Sequence, residues 1–422
     1  MRKFLPILAV VIVLVGIAVA LYFYLVPGDD GLVAEPGVTN PFEPVGDGET
    51  GGGGGVDDWG GDDPEEGTIG WGEDAGEGGT ATDVAPRLVK ITPGPVAEGA
   101  VALRRTDTAT TSLETSDQLS NLEVRYAMRA SGNLFTYLAA ENRTVRISNR
   151  TIPGIERAAW LPNGYAAYLQ AVRRDPDASE HIETTMVVSD GTSATALARD
   201  YASIDTAGER LLALTTTTGG ASATVSGPDG TAARAAFSSP IAGLRAEFLG
   251  ESFLATTKPS RDLLGYAFRI DGASGAFTRL LGPLYGLSAI SNGDGSQVLF
   301  SYADGNAMRL SLYTLSTGTA LPLPLQTLAE KCAFSPDNEV AYCAVPVTLS
   351  GASLPDSWYQ GATHFTDRLW KIDFAARVTT VVADLPLLTK EPIDGVALTL
   401  NPEGTALVFT NRRDSSLWYF AL

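Results

Sequence analysis

The chain has 422 residues, an apolar fraction of 44% and a formal net charge of -19. The charge is unevenly placed: no Lys or Arg lies between Lys3 and Arg87, residues 28–85 hold 16 Asp and Glu, and residues 86–422 carry 28 basic against 33 acidic side chains. A nucleic-acid partner is excluded by that distribution, because a phosphate backbone meets repulsion in the first part and no basic excess in the second.

Residues Phe4 to Val26 form 23 positions without a charge or a strongly polar side chain. About 20 such residues cross a bilayer core as a helix. Arg2 and Lys3 precede the run and acids follow it, and Tyr22, Phe23 and Tyr24 sit where an interfacial belt would lie. The positive-inside rule then predicts a single-pass signal anchor over 1–26, with the N-terminus in the cytoplasm and the rest extracytoplasmic. The rival reading is a cleaved signal peptide, against which stands the lack of a small-x-small site before Pro27.

Residues 27–86 read as a disordered tether rich in Gly, Asp and Glu. Pro27, Pro36, Pro41, Pro44 and the run Gly51–Gly55 break any regular element, and such a segment buries too little apolar surface to offset its chain entropy. Trp59 and Trp71 stand in it as isolated aromatics or as a docking motif. Asp57, Asp58, Asp62 and Asp63 lack the loop order of a calcium site.

From Arg87 the texture changes to short apolar or β-branched runs separated by Gly, Asn, Asp and Pro turns, which predicts an all-β domain over 87–422. A strand, a tight turn and a second strand recur at 158–169, 202–214, 246–256, 287–301, 332–343 and 398–410. Their turn residues Gly164, Gly208, Gly250, Gly295, Asn338 and Gly404 are separated by 44, 42, 45, 43 and 66 positions. A second hairpin follows each marker except the last. Four strands per unit of this length is the plan of a β-propeller blade. A first blade fits 99–149, making seven, and the long gap marks an insertion in the sixth. The chain stops at Leu422 one strand short of a complete last blade, while "RLVKITP" at 87–93 is a spare strand. The prediction is a seven-bladed β-propeller whose N-terminal strand closes the last blade, leaving no open sheet edge.

The segments "FSPDN" at 334–338, "LNPEG" at 400–404 and "WLPNG" at 160–164 resemble the hairpin of TolB-like and WD40-like (PD40-type) propeller repeats. The array over 87–422 is also similar to membrane-anchored propeller proteins of candidate-phyla bacteria. It departs from true WD40 repeats in lacking Trp-Asp ends and Gly-His starts. The resemblance implies the fold and transfers no active site, since these motifs are structural turns.

Cys332 and Cys343 lie symmetrically about the turn at 337/338. In a regular hairpin they are directly opposed, so outside the cytoplasm they read as a disulfide; the alternative is two small buried residues on one strand face. Histidine is limited to His181 and His364, which excludes a His-rich metal centre, and neither has a nucleophile elbow nearby. "NGDGS" at 292–296 resembles the start of a calcium loop but occupies a hairpin turn, whose geometry demands the same residues. No catalytic, cofactor-binding or metal residue is assigned.

Two insertions stand out, 173–181 and 346–368, both between the second and third strands of their blades and so expected on one face of the disc. Trp358, Tyr359, His364 and Phe365 give the second the aromatic content of a binding hot spot; the alternative is a plug folded over the core. The expected function is an interaction module that binds a protein or an envelope polymer through this face, anchored to the membrane by residues 4–26. The alternative is a hydrolase or lyase acting on glycans through carboxylates at the channel mouth.

Overall fold

A computed structural model describes residues 87–105, 121–349 and 353–422. The anchor at 1–26, the tether at 27–86 and both tether tryptophans lie outside the described residues. Among those that are described, no helix is long and apolar enough to cross a membrane.

The described chain is almost entirely strand. It opens with β1 (Leu88–Thr92), β2 (Val96–Arg104), β3 (Leu122–Met128), β4 (Leu134–Leu138) and β5 (Arg143–Arg146). Next come β6 (Arg157–Trp160), β7 (Ala166–Arg174), β8 (Glu180–Val188) and β9 (Ala194–Ala196), then β10 (Tyr201–Ala207), β11 (Arg210–Thr217), β12 (Gly220–Ser226) and β13 (Arg234–Ser239). The pattern continues through β14 (Leu244–Leu249), β15 (Ser252–Thr257), β16 (Leu264–Ile270) and β17 (Phe277–Tyr285), and through β18 (Ser288–Ser291), β19 (Gln297–Asp304), β20 (Ala307–Thr314) and β21 (Thr319–Leu323). It ends with β22 (Cys332–Phe334), β23 (Val340–Pro346), β24 (Asp367–Asp373) and β25 (Val378–Asp384), followed by β26 (Gly395–Leu400), β27 (Ala406–Asn411) and β28 (Ser416–Ala421). Two short helices interrupt it, α1 (Asp356–Tyr359) and α2 (Leu385–Thr389).

These strands form five antiparallel sheets of four strands and one sheet of eight, ordered β5-β4-β3-β2-β6-β7-β8-β9. This corrects the expectation of seven separate four-stranded sheets. The eight-stranded sheet arises where β2 and β6 run parallel through a single pairing, Glu98 with Arg157, with the Glu98 amide donating to the Glu156 carbonyl at 3.0 Å. Gly99 permits the approach. Its φ is +109°, and a Cβ there would lie 2.2 Å from the Ala158 carbonyl oxygen, so only glycine fits.

The two ends of the domain meet. β1 pairs antiparallel with β28, Leu88 opposite Phe420 and Val89 opposite Tyr419, giving the sheet order β1-β28-β27-β26. The spare N-terminal strand therefore supplies the outer strand that the C-terminal sheet lacks. The chain enters at Arg87 beside Ala421 and reaches the other face at Val96, whose amide donates to Ser415 at 2.9 Å.

Apolar side chains pack between successive sheets and not only within them. Leu211 lies with Tyr168 and Met186, and Leu214 with Phe248 and Phe253. Tyr137 lies with Tyr419 and Leu417, sealing the last sheet to the first. Alternation along each strand puts one set of side chains into each inter-sheet layer.

The recurrent turn residues have a direct physical role. Asn401 Oδ1 accepts the amides of Thr405 and Ala406 at 2.9 and 2.8 Å. Ser335 Oγ accepts that of Val340 at 3.1 Å. Asn292 Oδ1 accepts that of Gln297 at 3.0 Å, and Asp294 Oδ1 that of Ser296 at 2.8 Å. "NGDGS" is thus a turn whose side chains bond its own backbone.

Candidate binding pocket at the channel mouth

The first strand of each four-stranded unit lies innermost, and the loops between second and third strands gather at one end. There a concave site of about 620 Å³ opens, lined by Glu98 of β2, Arg157 of β6, Arg245 of β14 and Val396 of β26. Strands from opposite sides of the ring share this cavity, so it lies on the axis. Arg129, Lys258 and Arg412 reach it from the loops after β3, β15 and β27, and Asp356, Tyr359, Gln360 and His364 from the insertion. Five cationic side chains thus face three carboxylates, those of Glu98, Glu156 and Asp356. Charge of this sign is notable in a domain with an acidic excess.

Of the four aromatic candidates, the structure divides the roles. Trp358 and Phe365 are buried at 2% and 5% exposure, packed with Met308, Leu328, Leu354 and Val396. Their rings stack at 6.2 Å and 13°. Tyr359 and His364 instead line the pocket. The insertion is therefore part plug and part wall. The other insertion is not a free loop: β7 and β8 extend through it as a two-stranded arm, Arg173 opposite His181, and His181 lies 3.0 Å from Asp175 rather than at the pocket.

Beneath the insertion lies a buried ionic cluster that sequence reasoning missed. Lys331, Asp367 and Asp394 each have 0% exposure. The Lys331 ammonium donates to Asp367 at 2.9 Å and also to Asp394. Asp394 Oδ2 additionally accepts the Trp358 indole and the Phe365 amide, both at 3.0 Å. Burial pushes the Asp367 carboxyl up to about 6 despite the lysine beside it. For Asp394, burial acts upwards, but Lys331 and the donated hydrogen bonds outweigh it and hold the carboxyl below the usual range. One oxygen of Asp367 has no hydrogen-bond partner.

A second cavity of about 210 Å³ adjoins the first through Arg245 and Pro259, and Asp205, Glu247 and Glu330 line it. Burial raises Asp205 to about 6. Burial, with Asp205 adding to it, raises Glu247 to about 8. Both carboxylates bond the backbone of the next inner strand: Asp205 takes the Phe248 amide at 2.6 Å, and Glu247 that of Ser291. They replace the backbone pairing that β2 and β6 make directly. Glu330 accepts from Arg245 at 3.0 Å and from the Tyr359 hydroxyl, tying the pocket wall to the channel.

The sequence did carry a faint signal for these groups. Arg129, Lys258 and Arg412 occupy equivalent second-to-third-strand loops, and Asp205 and Glu247 each stand three residues before a turn glycine, Gly208 and Gly250. Cys332 and Cys343 are opposed in register between β22 and β23, and their sulfurs are bonded.

Solved structures with a similar backbone include an oligogalacturonate lyase in complex with manganese, with a TM-score of 0.52 and 11% identity over 81% of this chain and 94% of that one. The oligogalacturonate lyase of Vibrio parahaemolyticus gives 0.52 and 7% over the same shares, 81% and 94%. TolB of Acinetobacter baumannii gives 0.40 and 14% over 68% of this chain and 63% of that one. At these identities the likeness is one of fold.

The chain is a β-propeller.

No protein-family profile and no curated protein matches the sequence. The manganese belongs to the lyase complex. Among the described residues of this propeller, no three His, Cys, Asp or Glu side chains gather as a metal ion would require.

Proposed function

We propose that this protein is a binding propeller, held at the membrane by residues 4–26 and carried extracytoplasmically, which captures an envelope polymer or a protein in its axial pocket. We count its eight-stranded sheet as two blades fused at Glu98 and Arg157, which makes seven blades. Supporting that count are the four-strand grammar of β2–β5 and β6–β9 and the apolar layer of Leu103, Trp160 and Leu169 between them.

The observation that carries the binding reading is the pocket itself. It is concave, sits on the axis, and draws its charged lining from both sides of the ring and from the longest insertion. Loops on a rigid scaffold are the usual carriers of recognition, and the cavity volume falls in the range of small-ligand or chain-end sites. The test is Gln360→Trp, at an exposed position of the pocket wall. It is expected to abolish capture of cell-envelope material by the full-length protein while leaving its melting temperature unchanged; capture at the wild-type level would overturn the reading.

A glycan hydrolase or lyase is the second reading. It is favoured by the raised carboxyls of Asp205 and Glu247 in the adjoining cavity and by the fold shared with oligogalacturonate lyases. Against it stands the structural use of both carboxylates as inter-strand links. Turnover of glycans by the wild type, lost in Glu247→Gln, would favour it.

A further inference from the structure

The five cations of the mouth are not equivalent. Arg129 is paired with Glu156, Arg157 lies 3.9 Å from Glu98, and Arg245 lies 3.0 Å from Glu330. Asp356, the remaining carboxylate of the wall, takes the Arg261 amide at 2.6 Å. Lys258 and Arg412 are left. Among the described residues, neither has a carboxylate partner, and the exposed Lys258 ammonium has no hydrogen-bond acceptor.

Arg412 is held ready. Its Nη2 donates to the carbonyls of Trp358 and Tyr359 at 2.9 and 3.2 Å. Its guanidinium lies 4.2 Å from the centre of the Trp358 ring. Plug and guanidinium therefore fix each other, and the Nε and Nη1 donors keep no acceptor among the described residues. A rigid planar fork and a flexible point charge lining one cavity suit an anionic ligand, the first for geometry and the second for charge. A neutral ligand would leave both cations uncompensated.

We propose that Lys258 and Arg412 read negatively charged groups along one ligand, and that the ligand is an anionic saccharide polymer bearing carboxylates or phosphates. This rests on the reading of the pocket as a capture site. A free small anion would occupy little of the 620 Å³ available. Tyr359, Gln360 and His364 border the same cavity, supplying flat and hydrogen-bonding surfaces for sugar rings.

The test uses the full-length protein in detergent, titrated with alginate fragments as the carboxylate probe, a phosphomannan as the phosphate probe, and neutral dextran. One or both charged polymers are expected to bind, more weakly as salt rises, and dextran is expected not to bind. Lys258→Gln and Arg412→Gln should each weaken binding about tenfold or more, as expected for losing a charge-assisted hydrogen bond. The double replacement Arg309→Gln with Asp304→Asn, an exposed ion pair outside the pocket, should leave affinity within about threefold. Lys258→Gln has no internal contact to lose, so an unchanged melting temperature separates lost binding from lost fold.

Undiminished binding in both single variants, or equal binding of dextran, would overturn the charge-reading proposal and leave the capture reading standing. Failure of every polymer, charged and neutral, would overturn the polymer proposal, whereas the capture reading falls only if Gln360→Trp retains wild-type capture of cell-envelope material.

Discussion

Trp358 donates its indole N–H to Asp394 at 3.0 Å, and the oxygen that receives it also takes the amide of Phe365 at 3.0 Å. A buried carboxylate held by Lys331 thus fastens the insertion to the propeller core at two points. The pocket wall formed by Tyr359 and His364 depends on that fastening. Deleting the insertion would strip the apolar cluster around Met308 and Val396 as well as the wall, so point substitutions are the sharper probes.

Lys331→Met is expected to destabilise the domain by about 3–5 kcal/mol, since it leaves two carboxylates buried without their cation. Urea unfolding followed by tryptophan fluorescence measures it. Trp358→Phe, which removes the indole donor to Asp394 and leaves a cavity in the cluster with Phe365, should cost about 2–4 kcal/mol. A loss below 1 kcal/mol for Lys331→Met would show the cluster to be accessible to water.

Glu247→Gln should change how stability depends on pH. Burial first, and Asp205 second, raise the Glu247 carboxyl to about 8, above its ordinary value of 4.5. A carboxyl raised on folding stabilises most below the unfolded value, and that contribution is lost as pH rises through the folded one. The stability of the variant relative to wild type should therefore improve steadily between those two values and then level off. Parallel curves for the two proteins across this range would contradict the assigned shift.

Reducing the Cys332–Cys343 bond, which joins residues 11 apart, should lower stability by about 2–3 kcal/mol, from the entropy regained by a short loop in the unfolded chain. The comparison is urea unfolding with and without reductant, with Cys332→Ser/Cys343→Ser as the control that no longer responds.

Gly99→Ala should cost about 3 kcal/mol or more. It places a Cβ 2.2 Å from the Ala158 carbonyl oxygen at a φ of +109°, adding a backbone clash to the strain of a positive φ. Ala158 of β6 must then move away from β2. Calorimetric melting gives the loss, and a wild-type melt would mean that the two inner strands need not touch.

Ring closure can be trapped covalently. Leu88 and Phe420 are Cα partners across β1 and β28. Leu88→Cys with Phe420→Cys is therefore expected to form a further disulfide when an oxidant accepts two electrons from the thiol pair, seen as a mass lower by about two hydrogen atoms than that of the reduced protein. Free thiols at both positions in the folded protein would contradict the pairing.

The repeats announced themselves because turns have strict local demands. Gly164, Gly208 and Gly404, and the Asn and Ser that bond the returning strand, are required by backbone geometry at fixed spacing, so blade length and the missing outer strand could be read along the chain. Opposed cysteines around a turn are equally local. The insertion was recognisable by its length, but not the division of its aromatics between Trp358 and Phe365 inside and Tyr359 and His364 at the pocket.

Local patterning determined the strands and their turns, because each depends on residues a few positions apart. Counting strands showed that the last blade needs the segment 87–93; the register, Leu88 against Phe420, came from the structure. Tertiary structure alone decided the rest. Lys331, Asp367 and Asp394 are brought together across 63 positions, and Arg129, Lys258 and Arg412 across the ring, by the wrapping of distant blades around one axis. Their charges matter only at the short distances and low polarity that the closed ring creates, and no spacing in the chain encodes those.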